Sequence, residues 1–220
     1  MIQYILCDVE GTTTDIQFVH KELFPFAYQN LASFFEMHPE EQKKSAGHFS
    51  IHPQQLIAHL KSLIENDIKD KELKRIQGLI WQQGYQRQAL QGHVYPDVKP
   101  AFERWTNRGL TIGIYSSGSV QAQKLIYGHS IAGDLRPYLC DHFDLAVGYK
   151  YEPESYQVIA TTLAIPAHTI LFLSDVEREL DCAKTVGMKT IRLFRDEILP
   201  TTHPFVTSFS DIDARFLTNR

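Results

Sequence analysis

The sequence predicts an α/β fold, a doubly wound, Rossmann-like parallel sheet with a helical cap inserted after the first strand, and three observations lead there. Short apolar runs at 2–7, 110–115, 143–147, 169–173 and 190–194 have the length and composition of strands buried on both faces. Helix-like stretches at 96–108, 119–128, 153–163 and 177–186 alternate with the later runs, several opened by Ser, Asp or Pro and closed by Gly. Such alternation specifies a parallel sheet covered by helices on both faces. Residues 16–92 break the pattern, with helical periodicity at 18–37, 53–66 and 71–90 and no convincing strand. The expected domains are therefore an α/β core of residues 1–15 and 93–220 and a helical cap of residues 16–92.

The first strand, Ile2-Gln3-Tyr4-Ile5-Leu6-Cys7, runs into Asp8-Val9-Glu10-Gly11-Thr12-Thr13, which sets two carboxylates two positions apart at a strand mouth. A carboxylate there, followed by a glycine that permits a tight turn, can attack a bound phosphate and share a metal ion. Asp8 is the candidate nucleophile and metal ligand, and Glu10 the candidate acid and base. A turn or helix-capping role explains either carboxylate taken alone, so their neighbours decide the matter. An insertion placed after this strand hangs over the carboxyl ends of a doubly wound sheet, where it can exclude water and select substrate.

The second strand ends in Tyr115-Ser116-Ser117-Gly118-Ser119 and opens a helix, offering the Ser116 hydroxyl and free backbone N–H groups to a phosphate. Lys150 follows the expected strand 143–147, where its ammonium would hold Asp8 and a phosphate dianion together. The next strand closes on Ser174-Asp175, and Asp175 is best placed to bind magnesium, which prefers oxygen ligands. Glu179 and Asp181 lie farther along the following helix and are expected on a solvated face or as outer support of the site. Residues 201–220, with Pro204 and alternating Phe205, Phe209 and Ile212, are expected to add an edge segment.

Composition narrows the function class. With 43% hydrophobic residues the chain can build a sizeable core, and a net charge of −4 without a Lys/Arg block gives no drive toward nucleic acid or anionic lipid. A small-molecule substrate is the expectation. Three cysteines without CxxC spacing argue against a disulfide framework or a thiolate zinc site. The absence of a basic leader or a long apolar stretch leads to an expected cytoplasmic location with no membrane span. His48 and His52 are four apart, but Gly47 and Pro53 argue against one regular helix aligning them on a metal. His20 and His93 read as structural or surface residues, Cys7 as a small apolar strand residue, and Trp81 and Trp105 as packing.

These motifs, in this order and each at a strand end, resemble the haloacid dehalogenase superfamily with a helical cap after the first motif. Asp8-Val9-Glu10-Gly11-Thr12-Thr13, with Glu where the superfamily usually has a second Asp, is similar to the enolase-phosphatases, or acireductone synthases, of methionine salvage. So are Trp81-Gln82-Gln83-Gly84-Tyr85, Gly92-His93-Val94-Tyr95-Pro96-Asp97-Val98, the run from Ile114 to Gln123, Gly148, Lys150, Ser155-Tyr156 and Phe172-Leu173-Ser174-Asp175. One departure lies in the cap, where Arg87-Gln88-Ala89 stands in place of a family glycine. The resemblance implies a monomeric enzyme that enolises and then dephosphorylates 2,3-diketo-5-methylthiopentyl-1-phosphate. It also implies one magnesium ion held by Asp8, Glu10 through its backbone carbonyl, and Asp175, with Ser116, Ser117 and Lys150 on the substrate. For the enolisation base Glu10 comes first and Lys150 second, the latter if burial lowers its pKa. A generic magnesium-dependent phosphatase of small phosphate esters is the alternative reading.

Overall fold

The apolar runs do form one parallel sheet. Strands β1 Tyr4–Cys7, β2 Thr111–Tyr115, β3 Asp141–Phe143, β4 Ile170–Ser174, β5 Lys189–Leu193 and β6 Phe205–Val206 lie in the order β3-β2-β1-β4-β5-β6, each neighbouring pair parallel. The structure, a computed structural model, describes residues 1–217, the side chains of 214–216 excepted. Its helices are α1 Ile16–Phe18, α2 Phe24–Met37, α3 Pro39–His48, α4 Pro53–Glu65, α5 Lys71–Gln86, α6 Val98–Asn107, α7 Val120–Gly128, α8 Pro153–Thr162, α9 Glu177–Thr185 and α10 Ser210–Phe216. Two compact units result, Met1–Ile16 with Gly92–Arg220, and Gln17–Gln91.

Strand periodicity sends alternate side chains to opposite faces, and both faces are dry. Ile5, Cys7, Ile112, Ile114, Leu171 and Leu173 pack on one side with Phe102, Trp105 and Phe209. Tyr4, Leu6, Tyr115 and Phe172 pack on the other with Tyr156 and Ile159 of α8 and Leu180 and Ala183 of α9. Each Leu, Ile or Phe among them, fully buried, contributes about 1.5–3 kcal/mol relative to exposure. β1 sits centrally between β2 and β4, and the chain order reverses beside it, where open α/β sheets bind ligands.

One strand expectation needs correction. Residues 143–147 are not a strand: β3 stops at Phe143 and Leu145–Val147 is a 3₁₀ turn. Asp144 is the cause, because its Oδ1 accepts the Ala146 N–H at 2.9 Å and its Oδ2 the Val120 N–H at 3.2 Å, which turns the chain out of the sheet. The segment from 201 contributes β6 at the sheet edge and α10, while residues 218–220 of it lie outside the described residues.

The Gln17–Gln91 unit is helical throughout its regular structure, with a π-helical turn at Val19–Leu23 ahead of α2. α3 is an addition to the three helical patterns expected there. Its sequence is almost wholly polar and buries only Ser45 and Ala46, so periodicity does not reveal it. It is held instead by polar contacts: Arg75 of α5 pairs with Glu41 at 2.6 Å and with Glu72 at 2.7 Å, and Ser45 donates to Glu72 at 2.5 Å. His48 ends α3 and His52 caps α4, so the two are not aligned on one helix. Among the described residues no helix is long and apolar enough to cross a membrane.

Candidate active site

β1 delivers Asp8 to the centre of the carboxyl edge. Its backbone N–H continues the ladder by donating to Leu173 O at 2.9 Å, and the side chain is buried, 3% exposed for the residue. The chain then turns sharply. Val9 O accepts the N–H groups of Thr12, Thr13 and Thr14 at 3.2, 2.9 and 2.9 Å, and Gly11 takes φ +72°, which only glycine adopts without strain. A Cβ on Gly11 would lie 2.3 Å from Asp175 Oδ2, so the glycine also admits the second loop. Thr12 ties the two loops together: its hydroxyl donates to Asp8 Oδ2 at 3.4 Å and accepts the Asp175 N–H at 3.1 Å.

Lys150 arrives from the loop after the 3₁₀ turn, fixed by its own backbone, since Tyr156 OH donates to Lys150 O at 2.9 Å. Its ammonium makes a short ion pair with Asp8 Oδ1 and a second, at 2.6 Å, with Glu179 Oε2. Of the two places expected for Glu179, a solvated face or outer support of the site, it takes the second. It is 5% exposed, accepts from Ser174 Oγ at 2.9 Å, and braces the lysine from behind, because the first turn of α9 faces back toward the sheet edge. Asp181 is exposed, as a solvated-face residue should be, and meets His203 Nε2 at 3.0 Å. Burial alone would depress the Lys150 pKa, but Asp8 and Glu179 outweigh it and the net shift is upward. The lysine is therefore a fixed cation, and the condition for its acting as a base is not met.

Asp175 and Glu10 complete the cluster. Burial and then the Asp8 charge push Asp175 up to about 7, and the same two causes raise Glu10. Ser116, buried at the end of β2, donates to Glu10 Oε2 at 3.3 Å and accepts the Gly118 N–H at 3.0 Å. Ser117 is exposed at the next position. The fit to a cation can be tested on the groups themselves. Asp175 Oδ1 is buried with no hydrogen-bond partner among the described residues, beside a carboxylate of like charge. Two carboxylates crowded together with an orphaned oxygen, and no His or Cys donor, suit a hard divalent cation. Among the described residues no group of three or more His, Cys, Asp or Glu side chains gathers as a metal cluster.

Sequence reasoning allowed Glu179 as outer support of the site without naming Lys150 as its partner, and did not single out Thr12. Glu179 had a readable signal: Cys182, Ala183 and Val186 follow it at i+3, i+4 and i+7, so a carboxylate sits on an apolar stripe and requires a buried partner. Cys7 and Cys182 are buried free thiols and Cys140 is an exposed one.

The model of haloacid dehalogenase-like hydrolases matches residues 2–187, and the chain belongs to that family. Within it the chain groups with the enolase-phosphatases. Enolase-phosphatase E1 of Serratia proteamaculans (strain 568) is 44% identical over 223 residues, covering 97% of each chain. Enolase-phosphatase E1 of Yersinia enterocolitica serotype O:8 / biotype 1B is 44% identical over 225 residues, again with 97% of each covered. The crystal structure of the UTR4 protein (unknown transcript 4) of Saccharomyces cerevisiae superposes with a TM-score of 0.83 at 30% identity, covering 94% of this chain and 98% of that one. Membership of this group implies dependence on a divalent metal ion.

Proposed function

We propose that this chain acts as an enolase-phosphatase in methionine salvage. It converts 2,3-diketo-5-methylthiopentyl-1-phosphate to the acireductone 1,2-dihydroxy-3-keto-5-methylthiopentene and phosphate, by enolisation and then dephosphorylation through an aspartyl-phosphate. The observation that carries the reading is the buried Asp8–Lys150 pair beside Asp175 and Glu10, in a chain 44% identical to enolase-phosphatase relatives over 97% of its length.

Each residue has a role that its surroundings support. Glu10, whose proton affinity is raised by burial and by Asp8, removes a carbon-bound proton beside the diketone and returns it to the neighbouring carbonyl oxygen, giving the enol phosphate. Glu10, ionised again after that transfer, takes up a proton from solvent; Asp8 then attacks phosphorus, the bond from phosphorus to the enol oxygen breaks, and Glu10 donates that proton to the oxygen. In the last step Glu10 takes a proton from water, whose oxygen attacks the acyl phosphate, releasing phosphate and restoring Asp8. Ser116, Ser117 and the Lys150 ammonium bind the phosphate oxygens, and Glu179 and Ser174 keep the lysine aimed. One magnesium ion per chain, held by Asp8, Asp175 and the backbone carbonyl of Glu10, would screen the charge between carboxylate and phosphate and polarise the substrate carbonyl. The helical unit Gln17–Gln91 serves as the substrate-selecting cap, and the enzyme works as a cytoplasmic monomer.

The test is to add enzyme and magnesium to the diketo phosphate and follow ultraviolet absorbance of the enol together with phosphate release. Absorbance should rise before phosphate appears, and a chelator should abolish both. Phosphate without enol, or turnover of p-nitrophenyl phosphate and sugar phosphates while the diketone is ignored, would point to a general phosphatase instead.

A further inference from the structure

Two arginines from β5 and the turn after it reach backbone carbonyls of the two loops that carry Asp8 and Asp175. Arg192 Nε donates to Asp175 O at 3.1 Å, while its Nη1 pairs with Glu177 at 2.6 Å. Arg195 is committed more fully. Its Nε and Nη2 both donate to Thr12 O, at 3.0 and 2.6 Å, and its Nη1 pairs with Asp97 at 2.7 Å. The side chain is only 8% exposed, and the guanidinium lies 4.2 Å from the Tyr95 ring centroid and 4.9 Å from that of Phe209. Asp97 is itself pinned, accepting the Phe209 N–H at 2.7 Å and the Ser208 hydroxyl at 2.9 Å.

We propose that Arg195 is a positioning residue that sets the spacing of Asp8 and Asp175 by gripping the Thr12 carbonyl; the inference deepens the enolase-phosphatase reading and rests on it. Thr12 is the residue through which a displacement reaches both carboxylates, because its hydroxyl contacts Asp8 Oδ2 and receives the Asp175 N–H. Two like charges packed side by side push their loops apart. A planar fork making two bonds to one carbonyl, with its rings and counter-ion fixed, resists that push, and a lysine cannot reproduce the fork.

The test is a double-mutant cycle of Arg195→Lys and Thr12→Val, read as magnesium affinity by calorimetry on the metal-free protein. If Arg195 acts through Thr12, each single substitution weakens magnesium binding about tenfold or more and the double is within about twofold of the weaker single. Arg108→Gln supplies the stability control: Arg108 pairs with Asp213 at 2.8 Å, away from the loops, so its loss should lower the melting temperature without changing magnesium affinity. Should Arg195→Lys not fold, Asp97→Asn replaces it in the cycle, since it frees the far edge of the same guanidinium.

Magnesium affinity within about twofold of wild type for Arg195→Lys, or losses that multiply in the double, would overturn the proposal. Wild-type protein that binds no magnesium would overturn both the proposal and the reading beneath it. Failure of the wild type to turn over the diketo phosphate, with the cycle non-additive, would count against the substrate reading alone.

Discussion

Stripping the divalent cation should turn the site's own charges into a measurable load on the fold. Lys150 pairs with Asp8 and Glu179, and the Asp8 charge is felt by Asp175 and Glu10 as well. Burial and the Asp8 charge raise Asp175 to about 7 in the folded chain, against about 3.9 for an unfolded Asp. A folded pKa above the unfolded one means that the native state holds the proton more tightly. The stability it adds is therefore full below about pH 4 and is lost as pH rises through about 7. Between about pH 5.5 and 7 the loss runs at 1.36 kcal/mol per pH unit, or about 2 kcal/mol, equivalent to about 4–8 °C for a chain of this size. Glu179, raised to about 7 by burial and Asp8, adds in the same direction. His142, depressed to about 4 by burial, opposes it up to about pH 6.5. A comparison with Asp175→Asn cancels the His142 contribution, since both proteins keep that residue. Melting in chelator at about pH 5.5 and about pH 8 should show the wild type losing about 4–8 °C more than Asp175→Asn, with magnesium restoring the wild type at the higher pH by mass action. Equal pH dependence in the two proteins, or a wild type that gains on the variant as pH rises, would refute the electrostatic account.

Asp8→Asn should reduce phosphate release by about 10³-fold or more while enol still accumulates, followed by parallel absorbance and phosphate assays. Glu10→Gln should depress both signals, by about 10²–10⁴-fold, because one carboxylate serves both proton transfers. Gly11→Ala should cost about 1–3 kcal/mol in urea unfolding and weaken the metal site, since the new Cβ would sit 2.3 Å from Asp175 Oδ2 at a φ of +72°. Glu179→Gln should lower kcat by about 10–100-fold, with the protein still folded, because Lys150 loses the carboxylate 2.6 Å behind it; kcat unchanged would remove Glu179 from the account.

What the sequence reveals follows from which physical constraint each residue answers to. Asp8, Ser116 and Asp175 are readable because each follows an apolar run, and a parallel sheet directs every such end to the same edge, which the order of the runs marks as the candidate site. Lys150 is readable only by association, for the strand expected to deliver it is a 3₁₀ turn created by the Asp144 side chain, a local hydrogen-bond choice to which hydropathy is blind. α3 escapes for the complementary reason: its order comes from the Arg75, Glu72 and Glu41 contacts rather than from an apolar face.

Arg195 marks a further limit. It lies in Leu193-Phe194-Arg195-Asp196, where nothing distinguishes it from a surface arginine, and its partners come from residues 12, 95, 97 and 209, which only the folded chain brings together. Reactive groups sit where the backbone pattern changes and so leave a trace in one segment. The residues that hold them in place answer to three-dimensional neighbours and leave none. Glu179 is intermediate: a carboxylate in register with Cys182, Ala183 and Val186 has to be neutralised by something, and the single buried lysine among the residues described is what neutralises it. A charge on an apolar stripe is thus a legible demand for a partner, even when the sequence does not say which.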